Sequence, residues 1–264
     1  MSAESRAAPT PAEIAADWPR ELLGLGLLVL RETDSTQRFA RAILDRFLAE
    51  HDEPPPCFVI AVDQSAGRGR RGRRWVSGAG KGLWASMLLR FAPQEMEALP
   101  LRVAVAVADG LSQFVPGIGL KWPNDVLVGG DKLVGMLIEV VRREAESAWA
   151  VIGVGVNVEH RDDERPTPRA TSIRLAAPDR EPPRLGLVAA AVGGSLWREL
   201  TGPSGEWLAR YRSYSVHREG DPMACDLDGE RVEGRFAGFD ESGSVHLRLE
   251  AGERVVSSGD VHSW

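Results

Sequence analysis

The chain has 264 residues, of which 43% are hydrophobic and 27% charged, and carries a formal net charge of −6. That balance suits a soluble globular protein able to bury a full core, with room for one large domain and a small one. The apolar run Leu22 to Leu30 is too short to span a bilayer, the first residues lack a signal peptide's basic region, and Cys57, Cys225 and five scattered histidines give neither a disulfide framework nor zinc-ligand spacing, so a cytoplasmic protein is expected.

Residues 1 to about 20 read as a flexible lead-in. A strand is expected at Leu25 to Leu30, and Asp34-Ser35-Thr36 then offers N-cap chemistry for a helix. In that helix Phe39, Ile43 and Phe47 recur every four residues beside Ala40, Leu44 and Leu48, so one face is buried. Phe58 to Val62 and Leu83 to Phe91 read as strands on either side of a glycine-rich loop. From Leu99, the positions Val103, Val107, Leu111 and Phe114 mark a long amphipathic helix that tolerates Pro100 in its first turn.

Strand segments follow at Ile118 to Trp122 and Asp125 to Val128. Gly129-Gly130 signals a two-residue hairpin turn before the strand Leu133 to Val141, which sets Lys132 opposite Leu127 and close to Asn124 and Asp125. Trp149 to Val158 is a further apolar strand, broken in this reading by Gly153 and Gly155. Residues 160 to 185 form a polar, proline-rich connection, Leu187 to Leu200 and Glu206 to Tyr214 are helical, and short alternating strands follow His217. The layout is an α/β domain on a largely antiparallel sheet, followed by a small all-β module.

Chemistry concentrates in the loop. Between Asp63 and Glu95 there is no acidic residue, while six arginines and Lys81 sum to +7. Arg68, Arg70, Arg71, Arg73 and Arg74 interleave with Gly67, Gly69 and Gly72, and Trp75 follows. Glycine admits a ligand close to the backbone and guanidinium forks grip carboxylate or phosphate oxygens. One cationic loop on an acidic chain points to a bound anion, and a non-enzymatic nucleic-acid binder is the disfavoured alternative. Five neighbouring arginines repel one another, so Ser65 to Lys81 is expected to be mobile until a counter-anion arrives. Gly78-Ala79-Gly80-Lys81-Gly82 is not a phosphate-binding P-loop, because Gly82 stands where Ser or Thr is required.

Only three of the 32 basic residues are lysine: Lys81, Lys121 and Lys132. Lys121-Trp122-Pro123-Asn124-Asp125 lies across the Gly-Gly turn from Asp131-Lys132-Leu133-Val134-Gly135. An ammonium near an amide and a carboxylate can bridge anionic oxygens and hold a metal–nucleotide complex. The same residues also suit a Pro-Asn-Asp turn with a salt-bridged lysine. Likewise Ser35 and Thr36 suit helix capping as well as ligand contact, Trp75 suits core packing, and Asn157 suits a turn.

Together these segments resemble the biotin–protein ligases. The glycine–arginine loop is matched by Gly67 to Trp75, the Lys-Trp-Pro-Asn-Asp motif by Lys121 to Asp125, Lys-Leu-x-Gly by Lys132 to Gly135, and Gly-x-Gly-x-Asn by Gly153 to Asn157. Asp34 to Thr36 and Gln64 also fit, and the likeness is strong over roughly residues 28 to 160. The family usually has Asn after Ser-Thr where this chain has Gln37, and a proline after Trp-x-Ser where it has Gly78. Lipoate ligases and octanoyltransferases share the scaffold but lack the arginine-dense loop and the Trp-Pro-Asn-Asp motif.

The resemblance implies an α/β (α+β) catalytic domain with a mixed, largely antiparallel sheet and flanking helices, like the class II aminoacyl-tRNA synthetase and biotin ligase domains, at 28–217. A lead-in at 1–27 and an SH3-like β-barrel at 218–264 complete it. It implies biotin and ATP as substrates with Mg2+, adenylation of biotin, and transfer to a biotin carboxyl carrier protein domain. Arg68, Gly69, Arg70 and Lys132 would hold the carboxylate, and Ser35, Thr36, Gln37 and Gln64 the rest of biotin. Arg70, Arg73, Trp75, Lys121, Asn124 and Asn157 would bind ATP and the adenylate, with Asp125 as base and Mg2+ ligand. Lys132, Arg68, Arg70 and Asp125 form the expected catalytic set. Too few residues precede the first core strand for a DNA-binding domain, so a monofunctional enzyme with no DNA or membrane partner is expected, a second copy of the chain being a candidate partner.

Overall fold

Alternating side chains in the central strands place helices on both faces of one sheet. A computed structural model describes residues 7–22, 24–143, 146–203, 205–227, 230–257 and 259–263. Its larger sheet contains β1 (Gly26–Thr33), β2 (Cys57–Gln64), β3 (Gly82–Phe91), β4 (Ile118–Lys121), β5 (Asp125–Val128), β6 (Asp131–Arg143) and β7 (Ala148–Asn157). The spatial order is β1-β2-β3-β7-β6-β5-β4. β1 and β2 run parallel across the crossover helix α2 (Thr36–Ala49), and the other neighbouring pairs are antiparallel. The remaining helices are α1 (Pro11–Ala16), α3 (Leu99–Leu111), α4 (Ile173–Ala176), α5 (Leu185–Thr201) and α6 (Trp207–Tyr214).

In β2, Cys57 and Val59 face α2 and pack with Ala40 and Leu44. Phe58, Ile60 and Val62 point the other way, into the core shared with α3 and α5. A strand covered on both faces reads as a continuous apolar run, as Phe58 to Val62 does. α3 is buried nearly all round because α5 and α6 cover the side away from the sheet. Its one buried charge, Arg102, pairs with Glu199 at 3.2 Å and Glu95 at 3.4 Å.

The lead-in is not loose where it is described. Thr10 and Glu13 form a capping box at the start of α1, Ile14 is buried, and Trp18 stacks on Phe58 at 5.6 Å. Two large apolar side chains four residues apart reach one core face, which anchors the segment.

The Gly129-Gly130 turn has φ 59° and 85°, both in the left-handed region a tight hairpin needs, and Leu127 pairs with Lys132 as expected. β8 (Pro222–Leu227), β9 (Glu230–Phe239), β10 (Val245–Leu249), β11 (Gly252–Val256) and β12 (Asp260–Ser263) form a second, five-stranded antiparallel sheet in the order β11-β10-β9-β8-β12. Trp122 ties the two sheets together: its indole donates to Gly243 O at 3.1 Å. Its backbone N–H donates to Nε2 of His217, in the connection between them, at 3.0 Å. Among the described residues no helix is long and apolar enough to cross a membrane.

Candidate active site

One face of β7 carries Trp149, Val151, Gly153, Gly155 and Asn157. Trp149 and Val151 fill the space beneath α2, and the glycines let Gln37 and Trp75 lie directly against the rest of that face. The strand is therefore continuous, correcting the expectation that its glycines break it; here they permit close approach. Gly135 and Leu137 of β6 and Trp84 and Ser86 of β3 sit beside Gly155 and Gly153 and extend the floor. A cavity of about 710 Å³ lies above it at the N-terminus of α2, and every residue expected to hold biotin, ATP or a metal lines it, whereas Arg71 and Lys81 of the cationic loop do not.

Ser35 occupies the N-cap position of α2, but its hydroxyl makes no capping bond. Instead Gln64 Oε1 accepts from the Thr36 N–H at 2.8 Å, and Gln64 Nε2 donates to Ser77 Oγ at 3.0 Å. With the helix end satisfied from β2, the buried Ser35 hydroxyl is left without a partner. Thr36 Oγ1 lies 2.9 Å from Ser86 Oγ. Both ends of the Gln37 amide are engaged: Nε2 donates to Val151 O at 3.0 Å, and Oε1 accepts from Ser86 Oγ at 3.1 Å.

Trp75 lies over the floor. A Cβ on Gly135 or Gly155 would come within 2.5 or 2.6 Å of its ring. Trp84 meets it edge-on, 6.3 Å between centroids, and Lys132 Nζ sits 5.7 Å from the ring centroid. Trp75 Nε1 and Asn157 Oδ1 are, like Ser35 Oγ, buried without a hydrogen-bond partner. Each such group costs on the order of 1–3 kcal/mol. Three around one cavity mark places where a ligand's polar groups would fit.

Lys132 Nζ lies 2.6 Å from Asp125 Oδ1. Its backbone is clamped by the proline-rich connection that follows β7: Lys132 N donates to Arg169 O at 2.8 Å and Thr171 N donates to Lys132 O at 2.9 Å. Pro166, Thr167, Arg169 and Ala170 thereby join the cavity wall. Arg169 Nη2 donates to Gly130 O at 3.0 Å. No local periodicity or motif marks these residues; a backbone pairing to Lys132 puts them there.

The arginine loop is not held open by repulsion. Arg68 makes a two-pronged pair with Glu139, both contacts 2.9 Å. Arg70 donates to Asn124 Oδ1 at 2.7 Å and Gly259 O at 3.1 Å, Arg71 to Asp226 O at 3.0 Å, and Arg74 to Ser65 O at 3.0 Å. Protein acceptors stand where a counter-anion would, and four of the five, Glu139, Asn124, Asp226 and Gly259, come from segments remote in sequence. Asn124 also donates to Met136 O at 2.7 Å. Lys121 lines the cavity, whereas Lys81 pairs with Glu164 at 2.8 Å outside it. Burial, and then the nearby charge of Lys121, pushes the His217 imidazole down to about 4.

The site is thus a glycine-floored cavity under a cationic loop, on a mixed sheet joined to a small antiparallel one. The profile of the Biotin/lipoate A/B protein ligase family matches residues 29–157, and that of the Biotin protein ligase C terminal domain matches residues 224–262. The biotin--[acetyl-CoA-carboxylase] ligase of Mycobacterium tuberculosis is 34% identical over 221 residues, 77% of each chain. The bifunctional ligase/repressor BirA of Bacillus subtilis is 31% identical over 95% of this chain and 78% of its own. The fold is also that of the Aquifex aeolicus biotin protein ligase solved with biotin and ATP, with TM-score 0.68, 24% identity, and 90% and 99% of the two chains covered. The chain belongs to the biotin protein ligase family and is a biotin ligase.

Proposed function

We propose that the cavity joins biotin to ATP as biotinyl-5′-AMP and passes the biotinyl group to a lysine of a biotin carboxyl carrier protein domain. In the first step a carboxylate oxygen of biotin attacks the α-phosphorus, and the bond to pyrophosphate breaks. In the second the uncharged acceptor amine attacks the acyl carbon, AMP leaves with the electrons of the C–O bond, and the amine gives up a proton.

The observation that carries this reading is the set of three partnerless polar atoms, Ser35 Oγ, Trp75 Nε1 and Asn157 Oδ1, around a cavity that also holds Arg68, Arg70 and Lys132. Two anions must meet there, so cations must offset their repulsion. Arg68 and Arg70, with the backbone at Gly69, enclose the carboxylate and then the mixed anhydride. Lys132 neutralises charge developing between the carboxylate and the α-phosphate. Ser35, Thr36, Gln37 and Gln64 surround the remainder of biotin, Trp75 and Asn157 hold adenine, and Arg73, Lys121 and Asn124 meet the phosphates. Asp125, paired with Lys132 at 2.6 Å, is the base for the acceptor amine.

Among the described residues no three metal-ligating side chains converge. Asp125 nevertheless brings one carboxylate to the cavity, the kind of ligand through which Mg2+ binds together with nucleotide phosphate oxygens. Asp125 is the carboxylate that would hold it, and the ion, when bound, offsets polyphosphate charge.

Protein incubated with biotin and Mg·ATP, freed of excess ligand and examined by mass spectrometry tests the proposal. Retained biotinyl-5′-AMP is expected. Adenylate formed from octanoate or lipoate but not from biotin would move the assignment to the other branch of the ligase class.

A further inference from the structure

We propose that Arg71 is a positioning residue that pins the arginine loop to the C-terminal sheet, so that the enzyme's hold on its adenylate depends on the contact between the two sheets. The inference rests on the function proposed above. Arg70 and Arg73 line the cavity and Arg71 does not. Arg71 has φ 52° and ψ 39°, a left-handed conformation uncommon outside glycine, and Gly72 follows at φ 71°. The turn sends consecutive guanidinium groups to different places. Arg70 reaches Asn124 in the cavity wall and Gly259 O, while Arg71 reaches Asp226 O at 3.0 Å.

The two carbonyl acceptors are neighbours at one end of the C-terminal sheet. Asp226 of β8 pairs with Asp260 of β12, and a Cβ on Gly259 would lie 3.1 Å from Asp226 O. Val261 of β12 lines the cavity itself. The sheet end therefore does two things: it supplies wall, and it receives two successive loop arginines. An unfavourable backbone conformation persists only where its surroundings enforce it, and the bond from Arg71 to Asp226 is such a constraint. Without it the turn relaxes toward commoner torsion angles and draws Arg70 away from Asn124. Arg71 thus acts through Arg70. Because coupling is reciprocal, adenylate that fixes Arg70 also firms the end of β8.

The test uses full-length Arg71→Ala, Arg71→Gly and Arg71→Lys, with melting temperatures as a check on folding. Amide hydrogen exchange is followed over residues 67–75 and 222–227 in ligand-free protein, together with the rates of biotinyl-5′-AMP formation and release. The Ala and Gly variants are expected to exchange faster in both segments and to release adenylate on the order of tenfold faster, a larger change than in its formation. Lys, which keeps a charged donor, should recover part of the loss. Unchanged exchange in 222–227 together with wild-type release from the Ala variant would overturn the proposal. So would wild-type release from the Gly variant alone, which would show that the backbone, not the bond, is decisive. A wild-type protein that makes no adenylate would sink the proposed function instead, and the exchange measurements would still decide whether Arg71 pins the loop.

Discussion

Gly135 and Gly155 are direct partners across β6 and β7, and the indole of Trp75 lies over both. Either glycine given a side chain would collide with that ring, so the pair acts as a slot for a flat group. Gly155→Ala puts a methyl 2.6 Å from Trp75 Nε1 and is expected to lift the ring off the floor. Overpacking of this kind costs about 1–3 kcal/mol of stability. ATP affinity should fall further than biotin affinity, because Trp75 is assigned to adenine. Calorimetric titration of each ligand checks this, and equal losses for both would remove Trp75 from the nucleotide side.

Lys132→Ala should lower adenylate formation by roughly a hundred- to thousandfold, the loss of about 3–4 kcal/mol of charge stabilisation in the transition state. Lys132→Arg should restore little, since a planar fork cannot replace a point charge held 2.6 Å from Asp125. Biotin-dependent pyrophosphate release is the readout. A wild-type rate from the Ala variant would leave Lys132 as an ordinary hairpin lysine.

Arg70→Gly removes one guanidinium that bridges Asn124 and Gly259 and frees the loop at that point. Adenylate should then escape faster by about ten- to a hundredfold, as expected for lost bonds to a charged group. Released acyl phosphate reacts with exposed amines, so a bystander such as serum albumin should become biotinylated. Bystander labelling no higher than with wild type, while adenylate is still made, would show that Arg70 does not retain it.

Much of this arrangement is legible in the chain. The Gly-Gly turn sets the Leu127–Lys132 register, the four-residue spacing of Phe39, Ile43 and Phe47 gives α2, and the ordered motifs identify the residues that line the cavity. What cannot be read locally is long-range. Gly153 and Gly155 look like strand breakers until Trp75 is seen lying against one of them. The arginine loop looks self-repelling until Asp226 and Gly259 supply its acceptors, and residues 166–170 look like a connection until Lys132 clamps them. In each case the deciding partner comes from a segment that only tertiary folding brings near.

His217 should make the protein acid-sensitive. Its folded value is depressed to about 4 from 6.5, so between those pH values the unfolded chain binds more protons than the folded one. The stability it contributes is full above pH 6.5 and is lost as pH falls toward 4, at most on the order of 3 kcal/mol. Protonation at Nε2 would also remove the acceptor for the Trp122 N–H. His217→Gln keeps an acceptor without a titrating group. Urea unfolding across this range should show a slope in wild type that flattens in the variant; identical slopes would place the sensitivity elsewhere.

The most direct test of the account is the mass of a purified biotin carboxyl carrier domain after incubation with this protein, biotin and Mg·ATP. The account predicts one biotinyl group per carrier, absent when ATP is omitted and absent when the carrier's acceptor lysine is changed to arginine. A carrier left unmodified while the protein holds biotinyl-5′-AMP, or one modified equally well without its acceptor lysine, would contradict it.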